Sequence, residues 1–283
     1  MKVFIDGELR EGDAASVPVH DHGLLYGDGV FEGIRAYDGR PFRLDDHLER
    51  LSHGARALGI TLPGGVAAMR DAVLRTVEAY GPGDAYIRLI VTRGTGPLGI
   101  DPTLCERPRV ICIVDSIALF PEEKRRAGLS LITASVRRPS ADVLDPRIKT
   151  LNYLNNIMAK AEARRQGADE ALVLNGQGRV AEASVANLFL VRRGVLSTPP
   201  TTDGCLDGIT RRTVLELAAE LGVEREVVSI GRMDLFWADE VFLTGTGAGL
   251  VRVASLDGQP VGRPEPGPIT EQLSAAYFAR ARG

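Results

Sequence analysis

Cysteine is scarce in this sequence. Cys105, Cys112 and Cys205 are an odd number without CxxC spacing, which excludes a disulfide scaffold or a zinc ribbon and leaves reduced, structural thiols. No run approaches the roughly 18 apolar residues that a membrane span needs. The opening "MKVFIDGELREGD" has no apolar segment of the secretory kind, so a soluble, cytoplasmic protein is expected. Charge of one sign is also missing. A formal net charge of -3 and basic clusters that alternate with acids, "EKRR" and "EARR", give no footprint for nucleic acid or an anionic membrane. Histidine is confined to His20, His22, His47 and His53. The "HDH" step would put two imidazoles on one face of an extended segment, but no third ligand has a recognisable spacing, and no metal site is predicted.

What remains is ordinary globular composition: 283 residues, 44% hydrophobic and 25% charged, enough for about two domains with sizeable cores. Stretches of strand character ("KVFIDGEL", "AYIRLIVTRG", "RVICIVDSIALF", "LSLITASVRR", "EALVLN", "EVFLTGTG") are mixed with helical ones ("DDHLERLSHGARALGI", "GVAAMRDAVLRTVEAYG", "TLNYLNNIMAKAEARRQG", "ITRRTVLELAAELGV"). No fixed repeat occurs. A proline and a charge run in "FPEEKRRAG" mark the break. The expected organisation is a smaller N-terminal α/β domain over 1–118, a linker over 119–127 and a larger C-terminal domain over 128–283.

Chemistry first becomes visible at Lys149, in "RIKTLNYLNNIMAKAEARRQG". Read as one helix, the segment puts Lys149 and Tyr153 at i and i+4 on one face, with Leu151, Leu154 and Met158 as apolar anchors. A partly desolvated amine beside a phenol can form an imine with a carbonyl. Taken alone, the segment favours a surface lysine whose stem packs on neighbours. Glu182, in "GQGRVAEASVANLFLV", is a carboxylate among small and apolar residues; if buried it needs a cation, and if on an edge strand it needs only water. A protonated pyridine nitrogen is one cation that a carboxylate can hold.

Two stretches read as anion cradles. "CLDGITRRTVLELAAELGV" starts an amphipathic helix at Asp207, Gly208 and Thr210, where first-turn N–H groups and the helix dipole favour a phosphate. "VFLTGTGAGLVRV" carries a strand into Gly245, Thr246, Gly247 and Gly249. That second stretch half-matches a dinucleotide fingerprint, but "LVRVASLDG" continues as strand rather than helix, which excludes it.

An imine-forming lysine, a phenol, a buried acid and two phosphate cradles describe a pyridoxal phosphate site. The chain also resembles the class IV aminotransferases of the type IV pyridoxal phosphate fold, and most closely the branched-chain amino acid aminotransferases. The resemblance runs through "HGLLYGDGVFEGIRAYDGRPFRLDDHLERL", "IKTLNYLNNIMAKAEA", "AEASVANLFLV", "TPP" with "GITRR", and "DEVFLTGTGAGLVRV". It implies an α/β (α+β type), two-domain, D-amino acid aminotransferase-like fold whose active site lies between the domains. It implies pyridoxal 5'-phosphate as cofactor and ping-pong half-reactions through an aldimine on Lys149, which also shuttles the substrate proton. Tyr153 would then bond the ring oxygen and Glu182 the pyridine nitrogen. Arg50, Leu206, Gly208, Ile209, Thr210, Gly245 and Thr246 would complete the cofactor contacts. Read without the resemblance, Arg50 is an ordinary surface arginine beside the stripe Leu48, Leu51, Ala55 and Leu58.

For the substrate, the resemblance implies that Thr246-Gly247 with Tyr86 and Arg88 takes the carboxylate and that Tyr26 and Phe31 wall the side-chain pocket. Leu98 and Ile100 stand where D-amino acid members of the family use arginine and histidine. Val185-Ala186 departs from the glycine and acid usual in branched-chain members, and Arg179 adds a positive charge close to the expected site. The expected activity is transfer between branched-chain L-amino acids and 2-oxoglutarate. D-amino acid or (R)-amine transfer, and aminodeoxychorismate lyase chemistry, are the alternatives. A homodimer or larger assembly is expected, in which the N-terminal segment completes a neighbour's pocket.

Overall fold

The computed structural model describes residues 1–117 and 120–283. The expected end of "RVICIVDSIALF" and the expected boundary at 118/119 therefore fall partly outside the described residues. The chain divides into two compact units, Met1–Ile117 with Ile148–Asn152, and Ala118–Arg147 with Tyr153–Gly283.

The first unit is an antiparallel sheet under two helices. Its elements are β1 (Lys2–Ile5), β2 (Glu8–Glu11), α1 (His22–Tyr26), β3 (Gly29–Tyr37), β4 (Arg40–Pro41), α2 (Leu44–Ala57), α3 (Gly65–Tyr80), β5 (Ala85–Thr92) and β6 (Arg109–Asp115). Among the described residues the sheet order is β2-β1-β6-β5-β3-β4. "KVFIDGEL" folds as a hairpin rather than one strand, because Asp6 and Gly7 both take positive φ and turn the chain. Leu44, Leu48, Leu51 and Ala55 of α2 and Met69, Ala72, Val73 and Val77 of α3 are buried with Val30, Ile34, Ile87 and Leu89 of the sheet. The apolar period of both helices is what lays them on that face.

The second unit holds α4 (Glu122–Ala127), β7 (Leu129–Arg137), α5 (Ala141–Leu144), α6 (Leu154–Arg165), β8 (Glu170–Leu174), β9 (Val180–Ala183), β10 (Asn187–Arg192), β11 (Val195–Thr198), α7 (Ile209–Glu220), β12 (Arg225–Val227), β13 (Glu240–Gly245), β14 (Gly249–Leu256), β15 (Gln259–Pro260) and α8 (Pro268–Arg282). Among the described residues its sheet runs β12-β11-β10-β13-β14-β7-β8-β9, with β15 on β14. The β11/β12, β14/β7 and β7/β8 pairs are parallel. Its central strands read as continuous apolar runs and are buried along their length, as a sheet covered on both faces requires. The charge run expected as a linker forms α4, with acids in its first turn and bases in its last, matching the helix dipole. Among the described residues no helix is long and apolar enough to cross a membrane.

The segment around Lys149 differs from the sequence expectation. The helix starts at Leu154, not near Lys149. Residues 149–151 are extended against β3: the Phe31 amide donates to the Lys149 carbonyl at 3.0 Å, the Leu151 amide donates to the Gly29 carbonyl at 2.9 Å, and Thr150 bridges Val30. Sheet pairing has claimed the backbone groups that a helix would have used. Leu154 and Met158 are exposed rather than acting as apolar anchors.

Candidate active site

Strand alternation sorts β3 and β5 into two faces with different chemistry. Phe31 and Gly33 of β3 share one face with Tyr86 and Arg88 of β5, Gly33 standing directly opposite Arg88. The Tyr86 ring crosses Gly33 so closely that a Cβ there would collide with the phenol, and the Arg88 Nη2 donates to the Tyr86 hydroxyl at 3.2 Å. The Phe31 ring carries two cations, the Lys149 Nζ 4.4 Å and the Arg88 Cζ 4.6 Å from its centroid. Lys149, Phe31, Tyr86 and Arg88 are thus brought together, and the buried Arg88 Nε has no hydrogen-bond partner among the described residues. That orphan donor is of the kind a ligand carboxylate would satisfy.

The other face of β3 carries Val30, Glu32 and Ile34 toward α2. Glu32 is fully buried and is met by two side chains one helical turn apart, His47 and Arg50. The Arg50 Nε and Nη2 reach the two Glu32 oxygens at 2.8 and 2.7 Å, a side-on fork, while the His47 Nδ1 lies 2.7 Å from Oε2. Burial pushes the Glu32 carboxyl up, but Arg50, His47 and their hydrogen bonds outweigh it and bring the carboxyl down to about 2. Burial pushes the His47 imidazole down; Glu32 opposes this, and the Arg50 and Lys149 charges add to it. Arg50 is nearly buried, not the surface arginine that its sequence context suggested. Glu32 and His47 were passed over in the sequence, although a lone carboxylate in the apolar strand "GVFEGIRAY" was a signal.

Tyr26, at the end of α1, lies edge-on to His22 with centroids 4.9 Å apart, and its hydroxyl accepts from the Gly99 amide at 2.9 Å. The same loop presents Leu98 and Ile100 to solvent.

In the second unit Glu182 lies on β9, the last strand of its sheet, but it is buried there with a cation rather than solvated. The cation is Arg138, whose Nη2 donates to Oε1. The Asn187 Nδ2 and the Leu206 amide donate to Oε2 at 3.2 and 3.1 Å. A carboxylate has about four acceptor positions, so this set still accommodates one further N–H. Arg138 sits at the end of β7 in "RRP" and was not singled out in the sequence. Tyr153 is the residue before α6, half-buried, and falls in this unit, separated by the chain division from Lys149. Arg179 is exposed in the turn before β9, where its amide donates to Asn175 Oδ1.

Gly208 precedes α7, whose first residues, Ile209 and Thr210, are buried. A Cβ at Gly208 would strike the Asn187 side chain, so glycine lets the helix start tuck against the Glu182 network. The opening N–H groups of a helix have no intrahelical acceptor and form an anion site. Gly245 ends β13 and Thr246-Gly247 occupies the turn into β14, where the Ala248 amide donates to the Gly245 carbonyl at 3.1 Å. Cys112 and Cys205 are buried and pushed up to about 12 by that burial, which makes them inert thiols.

The first unit offers an amine on an aromatic face and an anchored guanidinium, and the second a buried carboxylate with acceptor capacity and a glycine-led helix start, each a group of a kind that pyridoxal phosphate can use. Comparison with known proteins leads to the same chemistry. The profile of the amino-transferase class IV family matches residues 29–256. The chain is 45% identical, over 98% of its length and 95% of the relative's, to a putative branched-chain-amino-acid aminotransferase of Methanocaldococcus jannaschii. It is 36% identical, over 98% and 95%, to a D-alanine aminotransferase of Bacillus licheniformis. Its structure is similar to that of the branched-chain amino acid aminotransferase from Thermobaculum terrenum in its PLP-bound holo form, with a TM-score of 0.89, 32% identity, and 100% and 94% of the two chains covered.

Proposed function

Since the chain belongs to the class IV aminotransferases, enzymes that use pyridoxal phosphate, we propose that it moves amino groups between branched-chain L-amino acids and 2-oxoglutarate. When bound, the cofactor supplies an electrophilic carbonyl and an electron sink. Lys149 offers the amine that holds that carbonyl carbon and, once released, carries the proton at the substrate Cα. Glu182 holds a proton at the pyridine nitrogen, and Tyr153 donates to the ring oxygen. For the phosphate, Arg50 offers a guanidinium in the first unit. In the second, the Ile209 and Thr210 amides and Thr246 offer donors, with Leu206, Gly208 and Gly245 giving close backbone approach. Tyr26 and Phe31 wall the side-chain pocket, and Tyr86 and Arg88, with Thr246-Gly247, take the carboxylate. A homodimer or larger assembly in the cytoplasm belongs to the same reading; a light-scattering mass equal to the 30.4 kDa monomer would contradict the assembly.

One observation carries the substrate reading: the Phe31 ring lies against both the Lys149 amine and the Arg88 guanidinium, an apolar wall beside the reactive nitrogen and a carboxylate donor. One methylene in such a pocket is worth about 1–3 kcal/mol, so L-leucine, L-isoleucine and L-valine should exceed L-alanine by roughly 10-fold or more in kcat/KM. D-Alanine should be a poor donor, because one enantiomer alone presents its Cα proton to the amine with its carboxylate anchored. D-Alanine turning over as fast as L-leucine would replace this reading with transfer from D-amino acids, the activity named for the Bacillus licheniformis relative.

A further inference from the structure

We infer that Glu32 and His47 form a buried positioning device for Arg50, holding its guanidinium in the orientation in which it takes a phosphate-bearing ligand. The inference rests on the pyridoxal phosphate reading of the site and extends it to two residues that would not themselves touch the ligand.

The argument starts from a cost. Burying a carboxylate in the apolar face that β3 turns toward α2 is unfavourable unless it is fully partnered, and a hydrophobic residue there would serve packing as well or better. Glu32 is nonetheless fully buried on the strand face it shares with Val30 and Ile34. Its partners explain it. Both Glu32 oxygens are engaged by the Arg50 fork, which fixes the plane of the guanidinium as well as its place. A single acceptor would leave that plane free to rotate about the long, rotamer-rich arginine side chain. The His47 Nδ1 on Oε2 holds the carboxylate in turn. His47 and Arg50 leave the same face of α2, so strand, helix and both side chains form one closed unit.

Electrostatics argue for orientation rather than charge. A carboxylate on Arg50 reduces the positive potential that an anion would feel, so a site selected only for attraction would omit Glu32. Its presence costs attraction and secures geometry. Positioning and attenuation therefore predict opposite outcomes for one substitution.

The test compares pyridoxal phosphate with pyridoxal, which lacks the phosphate, on the cofactor-depleted full-length protein, reading dissociation constants from the visible absorbance that each gains on binding Lys149. In the wild type the phosphate should tighten binding by about 100-fold or more. In Glu32→Gln, which keeps the shape and removes the charge, pyridoxal phosphate should weaken about 10-fold or more while pyridoxal changes less than about twofold. Equal weakening of both compounds would make Glu32 a purely structural residue and overturn the inference. Unchanged or tighter binding of pyridoxal phosphate would overturn it in favour of charge attenuation. Should Glu32→Gln not fold, Arg50→Lys keeps the charge and loses the fork; the same selective loss is expected, and undiminished discrimination for the phosphate would overturn the inference. A wild-type protein that gains no band with either compound would instead bring down the functional reading itself, and the inference with it.

Discussion

Glu32 with Arg50 in the first unit and Glu182 with Arg138 in the second are both buried carboxylates held by an arginine, and the two pairs are built for different ends. Glu32 is clamped: a fork from Arg50 takes both oxygens, an imidazole lies on one of them, and the carboxyl is held down at about 2. Glu182 is held by Arg138, an asparagine amide and a backbone amide, with room for another donor. The first arrangement suits a group that orients a neighbour and never exchanges partners. The second suits a group that receives one. Burial, an arginine and three engaged acceptor positions are common to both; what tells them apart is that one arginine forks across both oxygens of Glu32, whereas the partners of Glu182 come from three separate residues.

The sharpest way to break the comparison is to neutralise each acid. Glu182→Gln should lower kcat by roughly 10²–10³-fold and stay low at saturating cofactor, because the missing charge acts on the reaction itself. The loss in Glu32→Gln should be recovered largely by added pyridoxal phosphate. Steady-state kinetics at several cofactor concentrations distinguish them, and identical behaviour would erase the distinction.

Removing the arginines comes next. Arg138→Ala strands Glu182 in the interior and should destabilise the protein by about 3 kcal/mol in urea unfolding. Arg50→Ala should cost less, since Arg50 depresses His47, and its removal lets the imidazole take up a proton and compensate Glu32. A larger loss in Arg50→Ala would contradict this.

Proton linkage gives a comparable effect confined to one unit. Glu32 titrates from 4.5 in the unfolded chain to about 2 in the folded one. Its contribution, on the order of 3 kcal/mol, is present above pH 4.5 and is lost as pH falls toward 2. His47 is also lowered from 6.5, so the unfolded chain gains its proton first and stability begins to fall below that pH. Both groups make stability rise with pH between about 2 and 6.5, and Glu32→Gln should flatten the lower part of the curve. Melting temperatures from pH 7 to 3 in the two proteins provide the check.

Gly208→Ala gives the smallest effect. The new Cβ must displace Asn187, which donates both to Glu182 and to the Leu206 carbonyl at 2.8 Å. A cost of about 1–3 kcal/mol is expected, with weaker cofactor binding and pyridoxal affected along with pyridoxal phosphate.

These sites were unevenly legible in the sequence. α2, α3 and α7 followed from apolar periods and lie within the stretches that their residues mark. The Gly208 and Thr246-Gly247 features announced themselves through glycine and hydroxyl residues at an element end, where local chemistry and local structure coincide. Glu32, His47 and Arg138 did not, because their roles depend on partners 15, 18 or 44 residues away. The Lys149 segment misled for the same reason: its local pattern favours helix, and only the distant edge of β3 makes extended pairing the better arrangement.

That segment has a consequence for how the molecule comes into being. Ile148–Asn152 completes the first unit, yet thirty residues of the second unit precede it in the chain. A ribosome that has finished residue 117 has not yet delivered the partners of the Gly29 carbonyl and the Phe31 amide, nor the Leu151 side chain that packs on Gly29. The N-terminal unit therefore reaches its final form late in synthesis, and the segment that closes it last is the one that carries Lys149.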